Sequence, residues 1–224
     1  MHLYDTSVGF MGGYAIVTAH LPLAVGMGLA SKMKGENFVT MCIFGDGSVG
    51  EGEFHEALNL AALWQVPVVF FCENNLYGMG VSLAKSLSTD IAKLAAAYNM
   101  PAITINGMDS REVFRETQKA VDHARAGKGP FFVEAMTYRY RGHSMADPEL
   151  YRVKSEVEKY RKLDPIDNLK AHMTAIGMLD EERFKAIEER VEAVVDGSVE
   201  FADASPQPAL STLMSGITKE PANG

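Results

Sequence analysis

An aspartate between two glycines, Gly45-Asp46-Gly47, is followed after 26 residues by the pair Asn74-Asn75. A carboxylate on a glycine turn and an amide one strand-helix-strand unit later can meet at the carboxyl ends of neighbouring parallel strands. Open α/β sheets bind their ligands there. A carboxylate, an amide oxygen and a backbone carbonyl are hard oxygen donors. They suit a magnesium ion that keeps the rest of its octahedron for phosphate oxygens and water. A lone GDG would be a glycine turn, with Asn75 a turn residue; the flanking elements decide for a magnesium-diphosphate site.

Those elements are legible. Residues 38–44, FVTMCIF, are a continuous apolar run, expected as a strand buried on both faces. Gly45 and Gly47 let the backbone turn and approach a ligand closely. Residues 51–64 place Phe54, Leu58 and Ala61 at helical spacing, with Ala57 and Ala62 widening the stripe. Pro67 opens a second buried strand over 68–72, and Asn74-Asn75 fall past its end. Strand, helix and strand in that length make a right-handed crossover.

The rest of the chain alternates in the same way. A helix is expected over 15–33, stopped by Gly35, with Pro22 kinking it or marking its first turn. After Asn75 come a glycine-rich loop, a helix near 90–98 and a strand at 102–105. Asp109 with Glu112 opens a helix ending near Gly127, and a strand follows at 131–136. Polar helices are expected at 154–163, 165–176 and 180–203, the last with an apolar stripe of Phe184, Ile187, Val191, Val194 and Val195. The fold class is α/β, a mostly parallel sheet with helices on both faces and a helical C-terminal extension. The expected divisions are a diphosphate-binding domain at 1–150, the extension at 151–205 and a tail at 206–224.

A second candidate site is the segment 138–152, which carries Arg139, Arg141, His143 and Arg152. So long a loop in a compact domain is functional or disordered. As a solvated basic turn it would do nothing. As a cationic loop leaving the same sheet edge it would face the diphosphate. Other histidines carry no chemistry: His55 on the 51–64 helix reads as a packed or subunit-contact residue, and His20, His123 and His172 within helical segments as surface or core filler.

Composition narrows the function classes. The chain has 224 residues, 47% hydrophobic and 22% charged, enough for one domain with a substantial core. A formal net charge of −8 leaves no basic stripe for nucleic acid. No apolar stretch reaches the length of a membrane span, and nothing at the start reads as a signal or transit peptide. Cys42 and Cys72 both fall in expected buried strands, as packed, reduced thiols.

The GDG-spacer-NN pattern resembles that of the thiamine-diphosphate enzymes. Three further stretches narrow it: MGGYAIV at 11–17, CENNLYGMG at 72–80 and YRYRGHSMADP at 138–148. Together they resemble the alpha subunit of the decarboxylating component of 2-oxo acid dehydrogenase complexes, with the pyruvate dehydrogenases the nearest likeness. The resemblance implies thiamine diphosphate and Mg2+ as cofactors. It implies Asp46, Asn75 and the Tyr77 carbonyl as metal ligands, and Gly47, Ser48 and His143 at the diphosphate. Ala15 and Val17 match positions that meet the aminopyrimidine; Ala15 departs from the glycine common there. Arg139, Asp147, Tyr151 and Arg152 match residues that order the loop through ion pairs, and Ser144 matches a serine phosphorylated in mitochondrial members.

The same resemblance implies a small 2-oxo acid substrate and two kinds of partner. One is a beta subunit, in a heterotetramer of two alpha and two beta chains, which supplies the activating glutamate. The other is a lipoyl-bearing dihydrolipoyl acyltransferase. No catalytic residue is assigned to this chain. A family segment that lies ahead of Met1 implies a truncated chain. Acetoin or branched-chain 2-oxo acid dehydrogenase alpha subunits, or an inactive fragment serving in binding or assembly, are the alternatives. The implied location is cytoplasmic in a bacterium, mitochondrial matrix or plastid in a eukaryote.

Overall fold

A computed structural model describes residues 3–214. His2 and the 215–224 part of the expected tail lie outside the described residues. The chain divides into two compact units, Met1–Leu169 and Lys170–Gly224.

The first unit is built on a parallel sheet of four strands: β1 (Thr40–Gly45), β2 (Val68–Asn74), β5 (Ala102–Asn106) and β6 (Phe131–Met136). Their order is β1-β2-β6-β5, with every pair parallel. A small antiparallel hairpin, β3 (Tyr77–Gly78) and β4 (Val81–Ser82), follows directly on β2. The helices are α1 (His20–Lys34), α2 (Gly52–Trp64), α3 (Leu83–Ser86), α4 (Ile91–Ala96), α5 (Ser110–Arg125) and α6 (Lys154–Arg161). The expected strands and helices all form, most within a few residues of their expected bounds.

Alternation along the strands feeds two cores. Val68, Phe70 and Cys72 of β2 and Phe132 of β6 pack with Leu21, Phe54, Leu58 and Ile91 of α1, α2 and α4. Val69, Phe71, Val133 and Ala135 face Ala120 and Ala124 of α5. Helices therefore lie on both faces of the sheet. Cys42 and Cys72 are buried and unbonded to one another, and burial pushes the Cys42 thiol up to about 12.

Two expectations are corrected. β1 is buried on one face only, since Met41 and Ile43 on the α5 face are 43% and 51% exposed. The cause is position: β1 has a strand neighbour on one side, and α5 packs over β2, β5 and β6. The first helix begins at His20, not at residue 15, and Pro22 sits in its first turn, where a missing N–H costs nothing. Gly35 ends it in a left-handed conformation (φ 68°), as expected.

Helix α7 (Pro165–Ala175) runs across the division, and α8 (Glu181–Ala204) makes up most of the second unit. Asp180 caps α8 by accepting from the Arg183 N–H at 2.8 Å. Lys170 lies 3.5 Å from the Phe184 ring centroid. The expected stripe is present, but Ile187, Val191, Val194 and Val195 are exposed. No described helix is long and apolar enough to cross a membrane.

Candidate functional site

The carboxyl ends of β1 and β2 carry the site. β1 ends at Gly45, and residues Asp46–Ser48 form a single 3-10 turn before α2. Gly47 is needed there for packing: a Cβ on it would stand 3.0 Å from the Cα of Gly78, and one on Gly78 would stand 3.1 Å from the Cα of Gly47. The turn and the hairpin thus touch backbone to backbone.

Asp46 is buried at 3% exposure, not poised on an open loop tip. Its Oδ1 accepts from the Asn75 N–H at 3.2 Å. Its Oδ2 is buried without a hydrogen-bond partner among the described residues. Burial pushes its carboxyl above the ordinary range, against the backbone donors of Asn75 and Asp46 and the Arg139 charge; the Glu134 charge adds to the rise. A buried, half-unpaired carboxylate is costly in a folded chain. A cation against Oδ2 would offset that cost.

The amides beside it are fixed by their own turn. Asn75 Oδ1 accepts from the Tyr77 N–H at 3.2 Å, and Asn74 Oδ1 accepts from the Leu76 N–H at 3.1 Å. Leu76 holds φ at 73°, a left-handed conformation that costs a branched side chain about 1 kcal/mol or more. The paired Asx bonds offset that cost. Arg139 then donates to the carbonyls of Tyr77 at 3.3 Å and Met79 at 2.7 Å, securing the hairpin from outside.

Among the described residues, no group of three or more His, Cys, Asp or Glu could hold a metal. A cation here would take one carboxylate, one amide oxygen and one carbonyl. Asp46 Oδ2, the Asn75 amide oxygen and the Tyr77 carbonyl are donors of that hard-oxygen kind, the chemistry that suits magnesium.

The segment 138–153 lacks regular structure but is densely bonded. Asp147 accepts from the N–H groups of Glu149 and His143, at 2.9 and 2.8 Å, and from the Tyr151 hydroxyl at 2.7 Å; these donors hold its carboxyl below the usual range. Arg152 is buried, with 1% of its side chain exposed. It pairs with Glu149 at 2.6 Å, donates to the carbonyls of Arg139 and Tyr140, and lies over the rings of Tyr77, Tyr138 and Tyr151. Among the expected loop-ordering residues, the one ion pair is therefore Arg152 with Glu149; Arg139 and Asp147 act through hydrogen bonds. Arg141, His143 and Ser144 are exposed, and the His143 side chain makes no hydrogen bond among the described residues.

Asp46, Gly47, Ser48, Asn75 and Tyr77 are brought together. Ala15 and Val17 are exposed on the segment before α1, and no hydrogen bond joins them to the Asp46 turn. That segment is anchored nearby: Thr18 donates to Glu53 at 3.0 Å, and the His20 ring meets the Ile43 carbonyl at 2.9 Å. Thr18 is buried with φ at 71°, rare for a β-branched residue. Sequence reasoning missed Arg139 as a clamp on the hairpin, and missed Glu134. A lone acidic residue in the apolar strand FFVEAM was the available signal for the latter.

A family model described as dehydrogenase E1 component matches residues 1–211. The pyruvate dehydrogenase E1 component subunit alpha of Rhizobium meliloti (strain 1021) is 41% identical over 219 residues, covering 97% of this chain and 63% of that protein. The chloroplastic pyruvate dehydrogenase E1 component subunit alpha-3 of Arabidopsis thaliana is 39% identical over 228 residues, 99% of this chain and 53% of its own length. The chain spans about half to two thirds of the length of these relatives. The family match runs through the Asp46 turn, the asparagine pair and the whole of the 138–153 segment, and the chain belongs to the dehydrogenase E1 component family.

Proposed function

We propose that this chain is the diphosphate- and magnesium-binding part of the alpha subunit of a pyruvate dehydrogenase, which decarboxylates pyruvate oxidatively and passes the acetyl group to a lipoyl group. Dehydrogenase E1 components generally depend on thiamine diphosphate. The single observation that carries the metal reading is Asp46 Oδ2, buried and unpaired at the end of a parallel sheet. The names of the relatives support pyruvate as the substrate.

Each residue then has a task. Asp46, Asn75 and the Tyr77 carbonyl would hold Mg2+ beside the diphosphate. Gly47 and Ser48 bring backbone close to the phosphates, in a turn that no Cβ obstructs. His143 approaches the diphosphate from the 138–153 loop, and Arg139 keeps the hairpin and the loop in register. Ala15 and Val17 would meet the aminopyrimidine, with Val17 as an apolar wedge. Bound thiamine diphosphate supplies the nucleophilic carbon and the electron sink for decarboxylation.

The reading includes partners. A beta subunit completes the active site, in an assembly of two alpha and two beta chains, and a lipoyl-bearing dihydrolipoyl acyltransferase receives the acetyl group. Residues 1–150 form the cofactor domain and 151–205 its helical extension. The work is done in the cytoplasm of a bacterium, or in the matrix or plastid of a eukaryote.

The test is reconstitution with a beta subunit, supplying the part of the relatives that this chain does not span. Pyruvate should reduce a dye acceptor at least about tenfold faster than acetoin or a branched-chain 2-oxo acid. A preference for either rival would move the chain to that enzyme. Absence of thiamine-diphosphate binding would leave a purely structural subunit.

A further inference from the structure

Beneath the metal-holding turn lies a polar chain that crosses three strands. Glu134 of β6 stands in register with Cys72 of β2 and Thr104 of β5, on the face covered by α1, α2 and α4. It is 5% exposed. Its Oε2 accepts from the Thr104 hydroxyl at 2.8 Å, and its Oε1 accepts from the Asn74 amide at 2.7 Å. Asn74 is 1% exposed, and its own Oδ1 accepts from the Leu76 N–H. No Lys, Arg or His pairs with Glu134 among the described residues. An apolar residue at this place would suit the strand better, so the carboxylate needs a reason.

We infer that Glu134 is a positioning residue for the cation site, acting through Asn74. A carboxylate can only accept, so it compels the Asn74 amide to present its NH2 group downward. The Asn74 oxygen is thereby left facing the Leu76 N–H. That bond holds Leu76 in its left-handed conformation and sets where Asn75 and the Tyr77 carbonyl point. The chain runs Thr104, Glu134, Asn74, Leu76, and ends at two of the three metal ligands. This rests on the cation reading above; the relay from Glu134 to Leu76 can be tested without it.

The test combines hydrogen exchange at the Leu76 amide with Mn2+ titration of the full chain. Glu134→Val suits an apolar strand and removes the acceptor. It should speed Leu76 exchange about tenfold while core amides of β2 and β6 stay protected, and weaken Mn2+ about tenfold. Glu134→Gln should stay within about threefold on both, because the Thr104 hydroxyl can reverse its role and accept. Unchanged Leu76 exchange in Glu134→Val overturns the relay. So does acceleration spread evenly over the sheet, which marks a merely structural carboxylate. If Glu134→Val does not fold, Glu134→Leu, nearer in volume and likewise without an acceptor, takes its place with the same two outcomes. A parent chain that ignores Mn2+ while Leu76 responds keeps the relay and removes the cation reading.

Discussion

Asp46 and Asn75 are joined by one hydrogen bond, from the Asn75 N–H to Asp46 Oδ1 at 3.2 Å, across 29 positions of sequence. It fixes one carboxylate oxygen and leaves the other buried with no partner among the described residues. An unpaired buried carboxylate oxygen is costly, and the cation proposed above would remove that cost, so several consequences can be measured.

Replacing Asp46 should separate stability from binding. Asp46→Asn keeps an acceptor for the Asn75 N–H but removes the buried charge. The cation-free variant should be more stable than the parent by about 1 kcal/mol in denaturant unfolding. Its magnesium-dependent cofactor binding should fall by at least about tenfold, the loss expected of a charged ligand. A variant less stable than the parent would mean that the charge is already compensated within the chain.

The pH dependence has a definite sign. Burial raises the Asp46 pKa in the folded state, so its contribution to stability is fully present below the unfolded pKa and lost as pH rises through the raised folded value. Mild acidification should therefore raise the Tm of the cation-free chain through this group. Divalent cation binds the ionised form, so affinity should weaken on the acid side, starting above the ordinary carboxylate range. Thermal melts across pH with and without Mg2+ would check it. Parallel curves would exclude Asp46 as the ligand.

Close backbone packing predicts a steric result. Gly47→Ala would drive a methyl against the Gly78 Cα at 3.0 Å, with no flexible side chain to yield. The turn and the hairpin must separate, at a cost of about 1–3 kcal/mol. Cofactor affinity should fall with it, because Asp46 and the Tyr77 carbonyl are moved apart. Unchanged stability by calorimetry would show that the two backbones are not in contact.

The loop has its own keystone. Removing the Arg152 side chain leaves Glu149 and the carbonyls of Arg139 and Tyr140 without their shared donor. Arg152→Ala should cost about 3–5 kcal/mol and open residues 138–153 to limited proteolysis. Lysine should not restore protection, since one ammonium cannot reproduce the planar fork. Rescue by lysine would reduce Arg152 to a point charge.

Much of this was legible in the sequence, for reasons seen in particular residues. β2 is central, so its apolar run and the asparagines at its end read directly. β6 was bounded correctly by Pro130 and its apolar run. β1 misled because an apolar edge strand looks the same as a central one, and only the placement of α5 shows that Met41 and Ile43 stay open. The start of α1 misled because the segment before it is small and apolar, without a capping side chain to mark the boundary. Asp46 and Asn75 followed from spacing, and Tyr77 from the family resemblance. Glu134 and the hold of Arg139 on the hairpin did not, since each works through partners distant in sequence, on β2 and on the hairpin.

The measurement closest to the central claim is thiamine-diphosphate titration of the chain assembled with a beta subunit, in Mg2+ and in excess chelator. The parent should bind only when Mg2+ is present, and Asp46→Ala should fail to bind in either condition while keeping its fold by circular dichroism. Binding that ignores the chelator, or that survives in Asp46→Ala, would contradict the assignment of this turn as the cation and diphosphate site.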